Sequence, residues 1–515
     1  MKKKFKVLIG VLVPLSVLVG ILGIIFFVKP AIELKKLEKL KLEDSPTAGY
    51  LDKMPVTDEI FSWVKDLADM GPRIPGTDAG KKAQTYVLQN FKNFGLKDVD
   101  IVASKTKNWK CEDWSLTVSG ENIPSYFMTH SFNNGSFGSF STPDGGLNAK
   151  IVYIGEGTEA DFKKMDVKGK IVVCDVVMNE VPIGLTKFAS KLFYDPDKTL
   201  SITSSKLNPY GTDEYPYNYF RAMKNGAVGF VGVLSNYIDS NTYNNEERSF
   251  VAGEGSTMEI PALWVSKTDG AKLISKIKSS DTAIEANLQM KVQIKEVDAG
   301  AVVGLLPGKS KEIIMIQSHY DSSTIGATED ATGTSVVMAM AKFFTQIPYE
   351  DRERSLLFVA MDTHFTAYDS HDSIIEKYMG KGHQILADVC VEHIAAEAEE
   401  QDGKLVLTGE VEPRIVFTSE IESLLNITKE EIVRHRYGRS IVVPANMFGD
   451  EVPTDAGLFY DVGVPIISVV SGPIYLYDNQ DTIDKVAKEE LLPTTETFAD
   501  IVWRLTKLPT QDFSK

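Results

Sequence analysis

The stretch from Val7 to Val28, VLIGVLVPLSVLVGILGIIFFV, holds no charged residue, and it constrains the chain more than anything that follows. A run of that length can cross a hydrocarbon core of about 30 Å as one helix. Lys2, Lys3, Lys4 and Lys6 precede it. A basic flank stays in the cytoplasm, so everything after Lys29 is expected on the far side, as the ectodomain of a single-pass cell-membrane protein. The competing reading is a cleaved signal peptide, whose apolar part usually spans about 7–15 residues and ends in a small-residue cleavage site. Here the run is longer and leads into FFVKPAIELKK, which favours a retained anchor. The expected order is a basic tail over 1–6, an anchor over 7–28 and a Lys-, Glu- and Leu-rich stalk over 30–50.

Beyond the stalk, helical and strand-like patterns alternate. Thr57, Asp58 and Glu59 suit a helix start, and Ile60, Phe61, Val64 and Leu67 follow at helical spacing. After the turn formers of MGPRIPGTDAG, Thr77 opens a second helix with Ala83, Tyr86, Val87, Phe91 and Phe94 on its apolar face and Gly95 at its end. Later come short, continuous apolar runs bounded by polar turns: IIMI at 313–316, LLFVAM at 356–361, VCV at 389–391 and IISVV at 466–470. Such runs predict strands covered on both faces. The fold class is therefore α/β, with a mostly parallel twisted sheet and helices on both faces.

Between these parts the texture changes. SFNNGSFGSFSTPDGG, at 131–146, reads as a boundary loop. AKIVYIG, GKIVVCDV, AVGFVGVL and IPALWVS follow as strand-like runs, with helical patterns at 217–225 and 268–279. The phrases VKGKIVVCDV, FRAMKNGAVGFVGV and IPALWVSKTDGAKLI resemble the protease-associated domain over about 145–285. That resemblance implies a lid or substrate-access role, with a purely structural insert as the alternative.

Composition adds exclusions. The formal net charge of -16 argues against nucleic acid or an anionic lipid surface as the main partner. The three cysteines, Cys111, Cys174 and Cys390, form no metal-binding cluster or disulfide framework and read as packed thiols.

Polar groups concentrate where the later strands end. His319 follows IIMI in SHYDSSTIGATEDATG, Asp362–Phe365 follow LLFVAM, and Glu392 and His393 follow VCV. Open α/β sheets build their sites outside the carboxyl ends of strands. HIAAE, His393 to Glu397, has i,i+4 spacing but no HExxH, and a strand end is its natural context. Asp450, Glu451 and Asp455 in FGDEVPTDAG read as a solvated acidic loop.

These segments resemble the co-catalytic zinc peptidase family of aminopeptidase Y and glutamate carboxypeptidase (peptidase family M28). LADMGPRIPGTDAGKKAQTYVLQNFKNFGL is similar to its helical entry, VVGLLPGKSKEIIMIQSHYDSSTIGATEDATG to its first metal segment, and GLFYDVGVPIISVV with DTIDKV to its C-terminal segment. The resemblance implies one zinc-exopeptidase-like domain over about 51–110 and 297–510, with 145–285 inserted and folded apart. It also implies a peptide or protein substrate.

The resemblance also implies a ligand set, with substitutions. In the family, a His-x-Asp histidine and a later aspartate bind one zinc. A glutamate of a Glu-Glu pair and a late histidine bind the other, and one aspartate bridges both. Carried over, the first histidine is His319, and Asp321 orients it. Glu329 takes the bridging place, with Asp330 beside it as an alternative, and Glu392 takes the later aspartate's place. The Glu-Glu pair has become His364-Phe365, and the late histidine is Tyr477. His319, Glu329 and Glu392 are competent zinc ligands, whereas Phe365 and Tyr477 leave the second position without its own. One zinc is therefore expected. His364 stands at the general-base position and can take a proton, close the site as a fourth ligand, or just fill the cleft. The two functions implied are a surface exopeptidase with one zinc, and a catalytically silent relative that binds peptides or proteins.

Overall fold

The computed structural model describes residues 29–245, 257–379, 384–447, 449 and 452–514. The expected anchor and the loop residues Asp450 and Glu451 lie outside them. Among the described residues no helix is long and apolar enough to cross a membrane.

The segment expected as a stalk is laid against the body. Helix α1, Lys29–Leu37, buries Leu37 in the main core. Ser45 and Thr47 donate their hydroxyls to the buried carboxylate of Asp500, at 2.5 and 2.6 Å. Helix α2, Thr57–Ala68, buries Ile60, Trp63, Val64 and Leu67. Helix α3, Asp78–Phe94, is capped by Thr77, whose side chain accepts from Gly80 N at 3.0 Å. It ends where Gly95 turns left-handed at φ 91°, a conformation that costs glycine little.

The next strands, in chain order, are β1 Lys97–Val118, β2 Leu147–Tyr153, β3 Ile171–Val176, β4 Gly229–Leu234 and β5 Ala262–Ser266. Helix α4, Lys267–Ser279, and strand β6, Ile284–Leu306, follow. Then come β7 Ser310–His319, α5 Thr332–Thr345, β8 Arg354–Met361, α6 Asp369–Met379 and β9 Ile385–Val391. Strands β10 Arg414–Thr418, β11 Ser440–Pro444 and β12 Ile466–Ser471 and helix α7 Leu491–Lys507 are the main elements of the C-terminal part. The large strands lie side by side in one 16-stranded sheet in the order β5-β4-β3-β2-β6-β8-β7-β9-β12-β10-β11.

Strands β8, β7, β9 and β12 run parallel and are buried throughout β8, β9 and β12. Their side chains alternate between two cores. Ile314, Ile316, Phe358 and Ala360 face α2, α3, α5 and α7, while Ile313, Met315, Leu357 and Val359 face Ile374 of α6 and Phe459. Helix α5 is buried almost all round, so it is a core helix and not an amphipathic one. Burying Val336, Val337, Phe343 and Phe344 contributes about 1.5–3 kcal/mol each relative to exposure.

The inserted region has its own parallel strands, β2, β3, β4 and β5, and its own core under α4. It is nevertheless continuous with the rest. Strand β6 pairs with β2 at Ile284–Leu288 and with β8 at Val302–Leu306, and most of its length pairs with β1. On its other face, Tyr215, Tyr237, Tyr243 and Trp264 share a core with Phe365, Ala395, Tyr475 and Tyr477. The insert therefore packs directly over the strand ends.

Candidate metal centre

The carboxyl ends of β7, β8, β9 and β12 bring the polar residues together. His319 is the last residue of β7. Glu329 stands in the irregular turn Ala327–Ala331 that leads into α5. Two distant residues hold that turn. Asp481 accepts from Thr328 N, Thr328 Oγ1 and Glu329 N, at 2.5–3.1 Å. Arg73 is fully buried and donates to the carbonyls of Tyr320, Ile325 and Gly326, at 2.7, 2.7 and 2.8 Å. Five donors in a planar fork suit this clamp over several carbonyls.

Three imidazoles surround the Glu329 carboxylate. His319 Nε2 lies 3.3 Å and His364 Nε2 3.7 Å from Oε1, and His393 Nε2 lies 2.6 Å from Oε2. Each ring is fixed through its other nitrogen. His319 Nδ1 is 3.1 Å from the Asp321 carbonyl oxygen and 3.3 Å from its carboxylate. His364 Nδ1 donates to Asp455 Oδ1 at 2.8 Å, and His393 Nδ1 donates to the Ser471 carbonyl at 2.9 Å. Carbonyl and ionised carboxylate oxygens only accept, so all three Nδ1 atoms carry a proton and each ring turns its Nε2 toward Glu329. Histidines that bind metal are held in this way.

His319, Glu329 and His393 are buried, and their facing atoms His319 Nε2, His393 Nε2 and both Glu329 oxygens have no hydrogen-bond partner outside this cluster. Buried polar atoms left so are costly, and a cation between them would remove that cost. The ligand atoms of these three residues all lie within 4.8 Å of one another, as a metal site requires. The electrostatics agree. Burial opposes a charged His393, yet Glu329 raises it to about 9. Burial and His364 both oppose a charged His319, but Asp321 and Glu329 raise it well above its ordinary value. Burial would lift Glu329, but His393 and His319 hold it far below the usual carboxylate range. The pocket is built for net positive charge beside Glu329.

Glu392, taken from the sequence as the third ligand, faces elsewhere. Its Oε1 accepts from Thr454 Oγ1 at 2.6 Å, Cys390 Sγ at 3.0 Å and Asp455 N at 3.3 Å. Burial and the neighbouring Asp455 push it up to about 7. His393, not Glu392, offers a ligand atom beside those of His319 and Glu329. Asp330 is also turned away, accepting from Ser318 Oγ at 2.5 Å and Gly333 N at 2.8 Å. Between the two alternatives, only Glu329 faces the histidines.

Asp455 is not a solvated loop residue. It is buried, its Oδ2 lies 3.3 Å from His371 Nε2, and His364 and His371 hold it well below the usual carboxylate range against the effect of burial. Sequence reading also missed Arg73 and Asp481, and it placed Tyr210 nowhere. Tyr210, from the insert, donates to the Ser471 carbonyl at 2.9 Å, and its hydroxyl is 3.2 Å from His393 Nδ1. Phe365 and Tyr477 are buried, with the Tyr477 ring 5.8 Å from Tyr210 and 6.3 Å from Tyr243. Aromatic packing from the insert surrounds both of these side chains.

Comparison with known proteins bears on this centre. The model of Peptidase family M28 matches residues 301–502. The chain is 24% identical over 310 residues to aminopeptidase YwaD of Bacillus subtilis, covering 58% of this chain and 54% of that one. It is 21% identical over 272 residues to carboxypeptidase Q of Mus musculus, covering 52% and 50%. The chain thus spans about half the length of the curated relatives it matches. Among solved structures, a peptidase M28 precursor from Shewanella amazonensis aligns with TM-score 0.64 at 17% identity, covering 93% of this chain and 97% of that one. A zinc aminopeptidase from Bacillus subtilis aligns with TM-score 0.58 at 17% identity, covering 89% and 98%. These structures establish the shared fold.

Proposed function

We propose that this chain, related to peptidase family M28 through residues 301–502, is a membrane-anchored metallohydrolase of exopeptidase type. In this reading it acts on peptide amides with one zinc ion held by His319, Glu329 and His393. The observation that carries the reading is the convergence of His319 Nε2, His393 Nε2 and the Glu329 carboxylate, buried and without hydrogen-bond partners outside their own cluster. Two imidazoles and a carboxylate are a zinc-competent donor set. Zinc so bound polarises a carbonyl and lowers the pKa of water to about 7. The chain's own residues do the rest. Asp321 and Ser471 fix the two ligand rings, Arg73 and Asp481 fix the turn that carries Glu329, and His364 can take a proton.

The membrane part rests on the apolar run from Val7 to Val28 and its basic flank. The insert's resemblance to a protease-associated domain fits a role in substrate access. A silent, peptide-binding relative is the second reading, favoured by the aromatic filling around Phe365 and Tyr477.

Metal analysis of the purified chain should find close to one zinc, with zinc raising the melting temperature because it binds the native state. Fluorogenic aminoacyl substrates should be hydrolysed only by the zinc form. One bound zinc without hydrolysis of any peptide substrate would favour the silent reading, and two bound zincs would refute the mononuclear centre. Shaving intact cells with protease should release the ectodomain if the anchor is retained.

A further inference from the structure

We propose that Asp455 is a positioning residue that holds His364 as the proton acceptor of the hydrolase site, with His371 bracing Asp455 from its other side. This rests on the hydrolase reading above and deepens it.

His364 stands outside the trio of His319, Glu329 and His393, although its ring, His319 and Asp455 also offer ligand atoms within 4.8 Å of one another. Its ring lies 6° from parallel to the His319 ring, with centroids 4.1 Å apart. An imidazole nitrogen directs its lone pair in the ring plane, and two near-parallel planes at a stacking distance do not meet in front of their nitrogens. An ion in the plane of His319 therefore lies off the plane of His364. His364 nonetheless reaches the same place, with Nε2 3.7 Å from Glu329 Oε1. It stands beside the reacting centre, out of line with an ion held by the trio.

Asp455 sets the tautomer of His364. His364 Nδ1 donates to Asp455 Oδ1 at 2.8 Å, which keeps the proton on Nδ1 and leaves Nε2 as the basic atom. Asp455 is itself pinned. His371 Nε2 lies 3.3 Å from Oδ2, and Asp455 N donates to Glu392 Oε1 at 3.3 Å. The arrangement is a buried His–Asp–His chain that joins the turn after β8 and helix α6 to the segment carrying Asp455.

In the reaction, His364 Nε2 takes a proton from water as the water oxygen bonds to the peptide carbonyl carbon. It returns that proton to the amide nitrogen as the C–N bond breaks. One water is consumed, and a carboxylic acid and an amine leave. Asp455 stays a carboxylate throughout and stabilises the imidazolium.

The test uses the full purified chain with its zinc. Asp455→Asn keeps the shape but removes the charge and puts an NH2 donor in place of one acceptor oxygen, so kcat should fall by about 10²–10⁴-fold with KM and bound zinc unchanged. His371→Gln should lower kcat less. Nitrogen-15 spectra of histidine-labelled protein should report Nδ1–H at His364 in the unmutated chain and its loss in Asp455→Asn. Unchanged kcat in an active Asp455→Asn enzyme, or zinc lost in step with activity, would overturn the proposal. If the unmutated chain hydrolyses nothing, the hydrolase reading falls, and the spectra alone then decide whether Asp455 sets the tautomer. If Asp455→Asn does not fold, an Nε2–H signal at His364 in the unmutated chain refutes the assignment, and an Nδ1–H signal supports it.

Discussion

Glu392 and His393 are neighbours in sequence with opposite surroundings, and the backbone is the reason. Strand β9 ends at Val391, and His393 takes a left-handed φ of 57°, which re-aims the chain as it leaves the sheet. Glu392 then meets Thr454 and Cys390, while His393 meets Glu329. A polar pair after an apolar strand was legible, but which of the two faces the site depends on that one dihedral angle, and no residue type encodes it. Asp455 was hidden for a different reason, since its partner His364 is 91 residues away and an acidic loop has no local sign of burial. The prediction at this scale separates the neighbours. His393→Ala should weaken zinc binding by more than about 100-fold, beyond what loss of an outer partner costs. Glu392→Gln should keep the zinc. Competition with a chelator measures both, and the reverse outcome would return the third ligand to Glu392.

Helix α3 was legible from its cap and spacing, α2 from its spacing and acidic first turn, and the short apolar strands from their unbroken hydrophobicity. The paired strands β1 and β6, of 22 and 23 residues, were not. Their residues alternate between partly exposed and buried, and what buries them comes from elements distant in sequence, so neither reads alone as a long strand. The hairpin Ala396–Gln401 with Lys404–Val411 was equally unseen, and a cluster of charge ties it to the insert. Arg439 donates to both oxygens of Glu397, at 2.8 and 3.2 Å, and Lys206 of the insert pairs with Glu397 and lies 3.7 Å from Glu412. Arg439 and Lys206 overcome burial and hold Glu397 at about 2, so its contribution is full above about pH 4.3 and fades as the pH falls toward 2. Glu412 has the opposite sign. Burial pushes it up to about 7, with Glu397 adding to the effect against Lys206. Its charged form costs stability, absent below about pH 4.3 and complete above about 7. Glu412→Gln should therefore raise the thermal midpoint at pH 8 and leave it nearly unchanged at pH 4.5. Equal shifts at both values in a melting series would rule this out.

Across the whole molecule, the insert and the metal centre are one mechanical unit, because Tyr210 joins them. The insert supplies this side chain to the Ser471 carbonyl, the same oxygen that receives His393 Nδ1–H. Its ring packs against Tyr477, and the insert's Asn244 N donates to the Tyr477 carbonyl at 2.9 Å. Whatever orders His393 for zinc therefore also favours the docked insert, and the coupling must be reciprocal. Removing the hydroxyl with Tyr210→Phe preserves the ring packing and deletes only the link. Partners of metal-binding histidines typically contribute 10–100-fold to affinity, so zinc should bind about tenfold more weakly to Tyr210→Phe. The same linkage gives a second reading without metal analysis. Removing zinc from the unmutated chain should make the inserted region more susceptible to limited proteolysis, and Tyr210→Phe should be more susceptible than the unmutated chain at equal, subsaturating zinc. If zinc affinity and cleavage are both unchanged in Tyr210→Phe, the insert covers the centre without being coupled to it. Access to the site would then be governed by the aromatic contacts alone.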